Sequence, residues 1–304
     1  MVLVAVVLVL GSLVRTWADV PETWMVGRDV SRWISDGVKW AVRTFDPVFG
    51  AINIILLRYF LIPIEKFLLF LPWWLIYAVV GVVAYVKVDR KFGIVALAMM
   101  MGLAVLGLHD FAMSTLTLII VSTILCVGLG LPLGIFSAKS DGFDASMRPL
   151  LDAMQTMPSF VYLIPAIMLF GIGMVPAVMA TLIYAIPPMI RLTNLGIRQV
   201  DPDVVEAASA FGSTPTQILV KVQFPMALPT IMAGINQTIM MALAMVVVAS
   251  MIGARGLGVE VFNGIARLDT GRGFLGGLGI VVMAIIIDRI SQSLAKPTQT
   301  IRTV

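Results

Sequence analysis

The chain has 304 residues, 60% of them hydrophobic and only 12% charged, with a mean hydropathy of +1.01. A soluble domain carries roughly 25% charged residues, so the composition excludes an ordinary soluble protein and describes an integral membrane protein. The net charge of +4 does not point to nucleic acid, and one Cys with one His excludes a disulfide framework and a Cys/His metal set.

Apolar runs approaching the roughly 20 residues needed to span a bilayer recur along the chain. The first, 2–16, is short and lacks a preceding positive charge, so it reads as a span or a signal-like anchor. Residues 18–71 mix Trp24, Arg28, Arg32, Trp33, Lys39, Trp40 and Arg43 with apolar positions. The apolar stretch 54–70 is then interrupted by Arg58, Pro63, Glu65 and Lys66. Charges inside a bilayer are costly, so 18–71 is expected to form amphipathic helices at the interface; the alternative is a further span over 51–71. Spans are predicted next at 72–87, 92–108, 111–138, 150–172, 175–193, 228–252 and 274–292, about eight in all with the first.

Between the spans at 175–193 and 228–252 lies a polar island, Asp201-Pro-Asp-Val-Val-Glu-Ala-Ala-Ser-Ala-Phe-Gly212, followed by Val222-Gln-Phe-Pro225. Asp201 is a helix N-cap, Pro202 suits the first helical position, and Asp203 and Glu206 lie near the positive end of the helix dipole. Ala207, Ala208 and Ala210 favour helix, and Gly212 suits a left-handed stop. Thr214-Pro215-Thr216-Gln217 reads as a capping box opening a second short helix, expected to end before Pro225. The island therefore offers a rigid, small-residue surface to something soluble.

Loop charge sets the orientation. Lys87, Arg90, Lys91, Lys139, Arg148, Arg191, Arg198, Lys221, Arg289, Lys296 and Arg302 gather in one set of loops, whereas the opposite short loops hold only Arg255, Arg267 and Arg272. The island thus faces the cytoplasm.

The Glu206-Ala-Ala pattern, Gly212 and the Val222-Gln-Phe-Pro225 ending resemble the EAA loop of bacterial ABC-importer permeases, where the usual ending is Ile-x-Leu-Pro. Further runs extend the likeness: Leu131-Pro-Leu-Gly-Ile135, Pro149-Leu-Leu-Asp-Ala-Met-Gln-Thr-Met-Pro158, Tyr162-Leu-Ile-Pro165, Met168-Leu-Phe-Gly-Ile-Gly173, Pro187-Pro188, Arg191-Leu-Thr-Asn-Leu-Gly-Ile-Arg-Gln199, Pro229-Thr-Ile-Met-Ala-Gly-Ile-Asn-Gln237 and Gly256-Leu-Gly258. They resemble permeases of the glycine betaine/proline family of osmolyte importers, closely over 110–292 and loosely over 18–109.

The resemblance implies an all-α fold, the MetI-like transmembrane domain of type I ABC importers, in the bacterial inner membrane. It implies a permease core at 110–296 with its cytoplasmic loop at 200–225, two peripheral helices over 72–109, an interfacial or periplasmic segment at 18–71, an N-terminal span at 1–17 and a tail at 297–304. The partners implied are a second copy of the chain, two cytoplasmic ATPase subunits and a periplasmic binding protein. The 202–212 helix would couple the ATPase to the membrane helices through Asp203, Glu206, Ala207, Ala208 and Gly212. The chain has no Gly-x-x-x-x-Gly-Lys-Ser/Thr run, so ATP and Mg are expected on the partner ATPase and the chain itself is not an enzyme.

For a quaternary ammonium solute, Phe160, Tyr162 and Tyr184 are the candidates to line a passage through cation–π attraction. A binding protein that performs the selection would make such a cage unnecessary. Two other readings stay open: an ABC permease for an amino acid or other small solute, and an ion-coupled secondary transporter, which would need carboxylates within its spans. His109-Asp110 is read as a turn, Asp288 as an ion pair with Arg289, and the 20 Met residues as adaptable packing. Gly102, Gly107, Gly128, Gly130, Gly134, Gly276, Gly277 and Gly279 are expected to admit close helix approach, and Pro132, Pro158, Pro165 and Pro187-Pro188 to kink or end helices.

Overall fold

The computed structural model describes residues 26–295. The expected span at 2–16 and the tail at 297–304 lie outside them. The described residues are helical with short connections, and the chain divides into two compact units at Pro47/Val48. In the first, helix α1 (Gly27–Ile55) begins with exposed pairs Asp29–Arg32 and Asp36–Lys39, and Trp40 meets Phe45 edge-on at 5.8 Å. Its backbone leaves helical geometry at Phe45, just ahead of Pro47, whose ring opposes continuation of the preceding turn.

In the second unit a π-helical turn, Leu56–Leu61, leads into α2 (Ile62–Phe70). The stretch Gly27–Phe70 contains a window long and apolar enough to cross a membrane. Pro63 does not break the helix as expected, because the wider turn before it bonds the Ile62 amide to the Leu57 carbonyl, five residues back. The stretch is apolar enough for the alternative span near 51–71, while Gly27–Ile55 has the amphipathic character of an interfacial helix and buries none of its residues.

Helices α3 (Trp73–Lys87) and α4 (Arg90–Val105) form a hairpin with Asp89 as N-cap of the second. At 15 and 16 residues they match the stretches expected at 72–87 and 92–108 to within three residues, and each is shorter than the roughly 20 residues of a full crossing. Helix α5 (His109–Lys139) starts at His109 itself, so His109-Asp110 is a first helical turn and not a loop. Tyr77 Oη lies 3.0 Å from His109 Nδ1.

The expected span at 150–172 is not one helix. Helix α6 (Asp141–Thr156) and the segment Ser159–Phe170, which contains α7 (Leu163–Phe170), meet at 104°. Met157 precedes Pro158 and is extended at φ −68°, ψ 134°, the conformation that a following proline favours. The Tyr162 hydroxyl donates to the carbonyl oxygens of Met154 (2.8 Å) and Ala153 (3.3 Å) near the end of α6, where Ala153 also accepts the Met157 amide.

Helix α8 (Met174–Arg198) is the most deeply buried of the candidate spans, packed between α5 and α11 (Phe224–Ser250). Gly130 faces Met189 and Ile186 while Gly134 faces Thr193 and Ile190, so α5 and α8 run in the same direction. Gly196 faces Ala227 and Thr230 while Gly234 faces Pro188 and Leu192, so α11 runs the other way. Gly130, Gly134, Gly276 and Gly279 do admit close neighbours, whereas Gly102, Gly128 and Gly277 face open space and Gly107 serves a turn at φ +71°. Pro132, Pro165 and Pro187-Pro188 stay inside continuous helices.

After α11 comes a short amphipathic helix, α12 (Leu257–Arg267), folded back on α13 (Thr270–Ala295). Glu260 and Arg272 form a two-point ion pair at 2.6 and 2.8 Å across that turn. Asp288 of α13 accepts from Asn236 and Gln292 rather than pairing with Arg289. Five stretches among the described residues are long and apolar enough to cross a membrane, or six if the bent pair counts as one, against the eight expected for the whole chain.

Candidate coupling surface

Helix α9 (Pro202–Ala210) leaves the end of α8 through a two-residue link after Gln199. Asp201 caps it by accepting from the Asp203 amide at 2.9 Å. At its other end Gly212 has φ +79°, the Gly212 amide donates to the Ser209 carbonyl (2.9 Å) and the Ser213 amide to the Ala208 carbonyl (3.1 Å). These two bonds are the Schellman arrangement, which closes a helix on a left-handed residue. Thr214 then opens α10 (Pro215–Ile218) with both halves of a capping box: Gln217 N to Thr214 Oγ1 at 3.4 Å, and Thr214 N to Gln217 Oε1 at 2.8 Å.

The elbow is therefore fixed by its own backbone bonds. Among the described residues of α9 none is buried. Asp203, Glu206 and Ala207 are exposed and Ala208 is half-buried. Phe211 is 91% exposed at the tip. Sequence reasoning missed Phe211; its signal was an aromatic residue wedged between a helix-forming Ala210 and a helix-stopping Gly212.

The second helix does not end before Pro225 as expected. Leu219–Gln223 is a π turn that bonds the Phe224 amide to the Leu219 carbonyl and passes directly into α11. A wider turn carries the chain past a residue that has no amide to donate. The elbow is thus continuous with a core helix on its far side.

On its near side it is braced by a polar lattice that sequence reasoning also missed. Asp144 of α6, nearly buried, accepts from Asn194 Nδ2 at 2.7 Å and Arg148 Nε at 3.0 Å. Arg198, the last residue of α8, donates to Asp141 (2.7 Å), Asn194 Oδ1 (2.8 Å) and the Ser137 carbonyl (2.7 Å), and Arg191 pairs with Asp152. These groups surround a cavity of about 400 Å³. Only the local pairs Arg148–Asp144 and Arg198–Asn194, each four residues apart on one helix, were accessible to sequence; the rest links residues 39 to 61 positions apart. Asp144→Ala strips Asn194 of its acceptor in a partly buried site, at a cost of about 1–3 kcal/mol. It is expected to lower the melting temperature of the purified protein, where Asp152→Ala, on an exposed pair, leaves it nearly unchanged.

The structure does not gather the three aromatic candidates into a cage. Tyr162 is buried with its hydroxyl committed to α6, Tyr184 packs against the same core cluster, and Phe160 is 54% exposed.

Residues 130–298 match the family model described as "Binding-protein-dependent transport system inner membrane component". The chain belongs to this family. The permease is 46% identical over 268 residues to the glycine betaine/proline betaine transport system permease protein ProW of Escherichia coli, covering 88% of this chain and 75% of that one. It is 50% identical over 233 residues to the glycine betaine/carnitine transport permease protein GbuB of Listeria monocytogenes, covering 75% and 82%. Among solved structures, an inward-facing MetNI methionine ABC transporter aligns with a TM-score of 0.55 at 20% identity, over 60% of this chain and 91% of that chain. At that identity the likeness establishes the fold. The permease is a multi-pass inner-membrane component of a binding-protein-dependent ABC system, with ATP hydrolysis assigned to a separate subunit.

Proposed function

We propose that the chain is the translocating subunit of an ATP-driven importer of quaternary ammonium osmolytes of the glycine betaine and proline betaine kind. It works as a homodimer, with two ATPase subunits that bind ATP and Mg, and receives its solute from a periplasmic binding protein. The observation that carries the substrate class is the 46% identity to a glycine betaine/proline betaine permease along 88% of the chain.

The α9 elbow supports the coupling role. Coupling needs an element that keeps its shape while transmitting a different contact in each of two states. Helix α9 is closed by caps at both ends, offers Asp203, Glu206, Ala207, Ala208 and Phe211 outward, and joins two core helices, α8 and α11. Closure of the ATPase pair would move the elbow as one piece and tilt both helices with it.

The test is uptake by proteoliposomes. The permease reconstituted with its ATPase and binding protein is expected to accumulate radiolabelled glycine betaine only when ATP is inside, and the permease alone neither to accumulate it nor to hydrolyse ATP. Accumulation by the chain alone, driven by an ion gradient, would overturn the importer reading in favour of a secondary transporter.

A further inference from the structure

At the end of the bundle opposite the elbow, a cavity of about 650 Å³ opens between three segments of the second unit. Helix α8 joins the two ends, since its first residues line this cavity and its last, Arg198, reaches the elbow. Residues 53–69 supply one wall, the corner at 170–176 a second, and the loop at 253–255 the third. The rim is tied together by the Asn53 side chain donating to the Phe170 carbonyl (3.1 Å) and the Gly173 amide donating to the Ile252 carbonyl (2.9 Å). Otherwise largely apolar, the lining holds one carboxylate, Glu65, and two cations, Lys66 and Arg255. Glu65 is half-buried, and one of its oxygens accepts the Ser114 hydroxyl at 2.7 Å.

An ionised group inside an apolar helix is expensive and marks a ligand or ion pathway. Among the described residues Glu65 makes no salt bridge, although Lys66 and Arg255 line the same cavity. Fixed charges of opposite sign held apart in one apolar enclosure match a small molecule that carries both signs.

We propose that this cavity is a receiving site for a zwitterion with a bulky cationic head and a carboxylate. The head lies at Glu65, where a fully alkylated nitrogen without a proton to donate is held by charge alone, and the carboxylate lies toward Arg255 and Lys66. The site rests on the importer reading above. It would lie on the external side, away from the ATPase, and take the solute released by the binding protein.

Leu69 lines the cavity and is 44% exposed, whereas Cys126 is buried and serves as an internal blank. In the reconstituted permease–ATPase complex, Leu69→Cys is treated with two thiol reagents of similar size, a trimethylammonium-bearing and a sulfonate-bearing methanethiosulfonate. Glu65→Gln is expected to shift the ratio of their rates by about tenfold toward the anionic reagent, and Arg255→Gln to shift it in the opposite direction. Glycine betaine should slow both reagents in the Leu69→Cys protein but not after Glu65→Gln, and choline, which lacks the carboxylate, should protect less. An unmoved ratio, an absence of protection, or equal protection by choline overturns the zwitterion site. Uptake of glycine betaine by the complete system without the thiol change remains a separate measurement: uptake with no protection refutes this site alone, and no uptake refutes the importer reading.

Discussion

Gly212→Val is expected to lower ATP-driven uptake by about tenfold while leaving the permease folded in the membrane. At φ +79° Gly212 adopts a conformation in which a β-branched side chain is strained by its own backbone. No atom lies within 4 Å of where its Cβ would be, so the penalty is conformational rather than a collision. Left-handed geometry costs about 1–2 kcal/mol per residue for an ordinary amino acid, enough to shift the elbow's equilibrium by roughly tenfold. Both Schellman bonds, Gly212 to Ser209 and Ser213 to Ala208, depend on that geometry. The predicted readout is loss of substrate-stimulated ATPase activity in proteoliposomes with a normal melting temperature. Gly212→Asn, which visits the left-handed region readily, should restore much of the activity. If Gly212→Val transports as well as the parent, the elbow is not the coupling element.

The second large effect belongs to the core. A Cβ on Gly134 would sit 2.8 Å from the Ile190 carbonyl oxygen, which is backbone and cannot swing away. Helices α5 and α8 approach this closely because glycine lets them, and in a bilayer such packing replaces the hydrophobic drive that water would supply. Gly134→Ala is expected to destabilise by about 1–3 kcal/mol, the range for overpacking, and Gly134→Val to prevent recovery of folded protein from detergent. Gly128→Ala is the control: it lies about 1.7 turns earlier on the same helix and faces open space. Equal melting temperatures for the Gly134→Ala and Gly128→Ala proteins would show that α5 and α8 are not held at this point.

Local chemistry made much of this legible in advance. The caps at Asp201 and Thr214 and the left-handed stop at Gly212 are short-range bonds, written within three or four residues of each other, and the structure forms each one. Close contact at Gly130 and Gly134 follows from small residues on an apolar helix. Pairings across distance were not legible. Nothing in the sequence near Asp144 announces Asn194, fifty positions away. Pro158, expected to kink or end a helix, stands where the chain turns by 104°, but hydropathy has no direction and gave no sign of how sharp the bend is. Phe160, Tyr162 and Tyr184 were chosen for ring chemistry alone, which gives no sign of the bond that Tyr162's hydroxyl makes to α6.

The π turns ahead of Pro63 and Pro225 act as phase adjusters. A straight α-helix advances about 100° per residue, so a surplus residue inside a regular turn would rotate everything beyond it about the axis. Leu219–Gln223 takes that residue into one wider turn, closing Phe224 on Leu219 five residues back, so α11 leaves the elbow with Ile231 and Gly234 still toward α8. Deleting Val220 is expected to leave a regular helix with that face nearly unchanged, whereas a deletion in the regular part of α11 ahead of Ile231 would turn it away. The joint therefore tolerates a change in residue number that the helix beyond it does not.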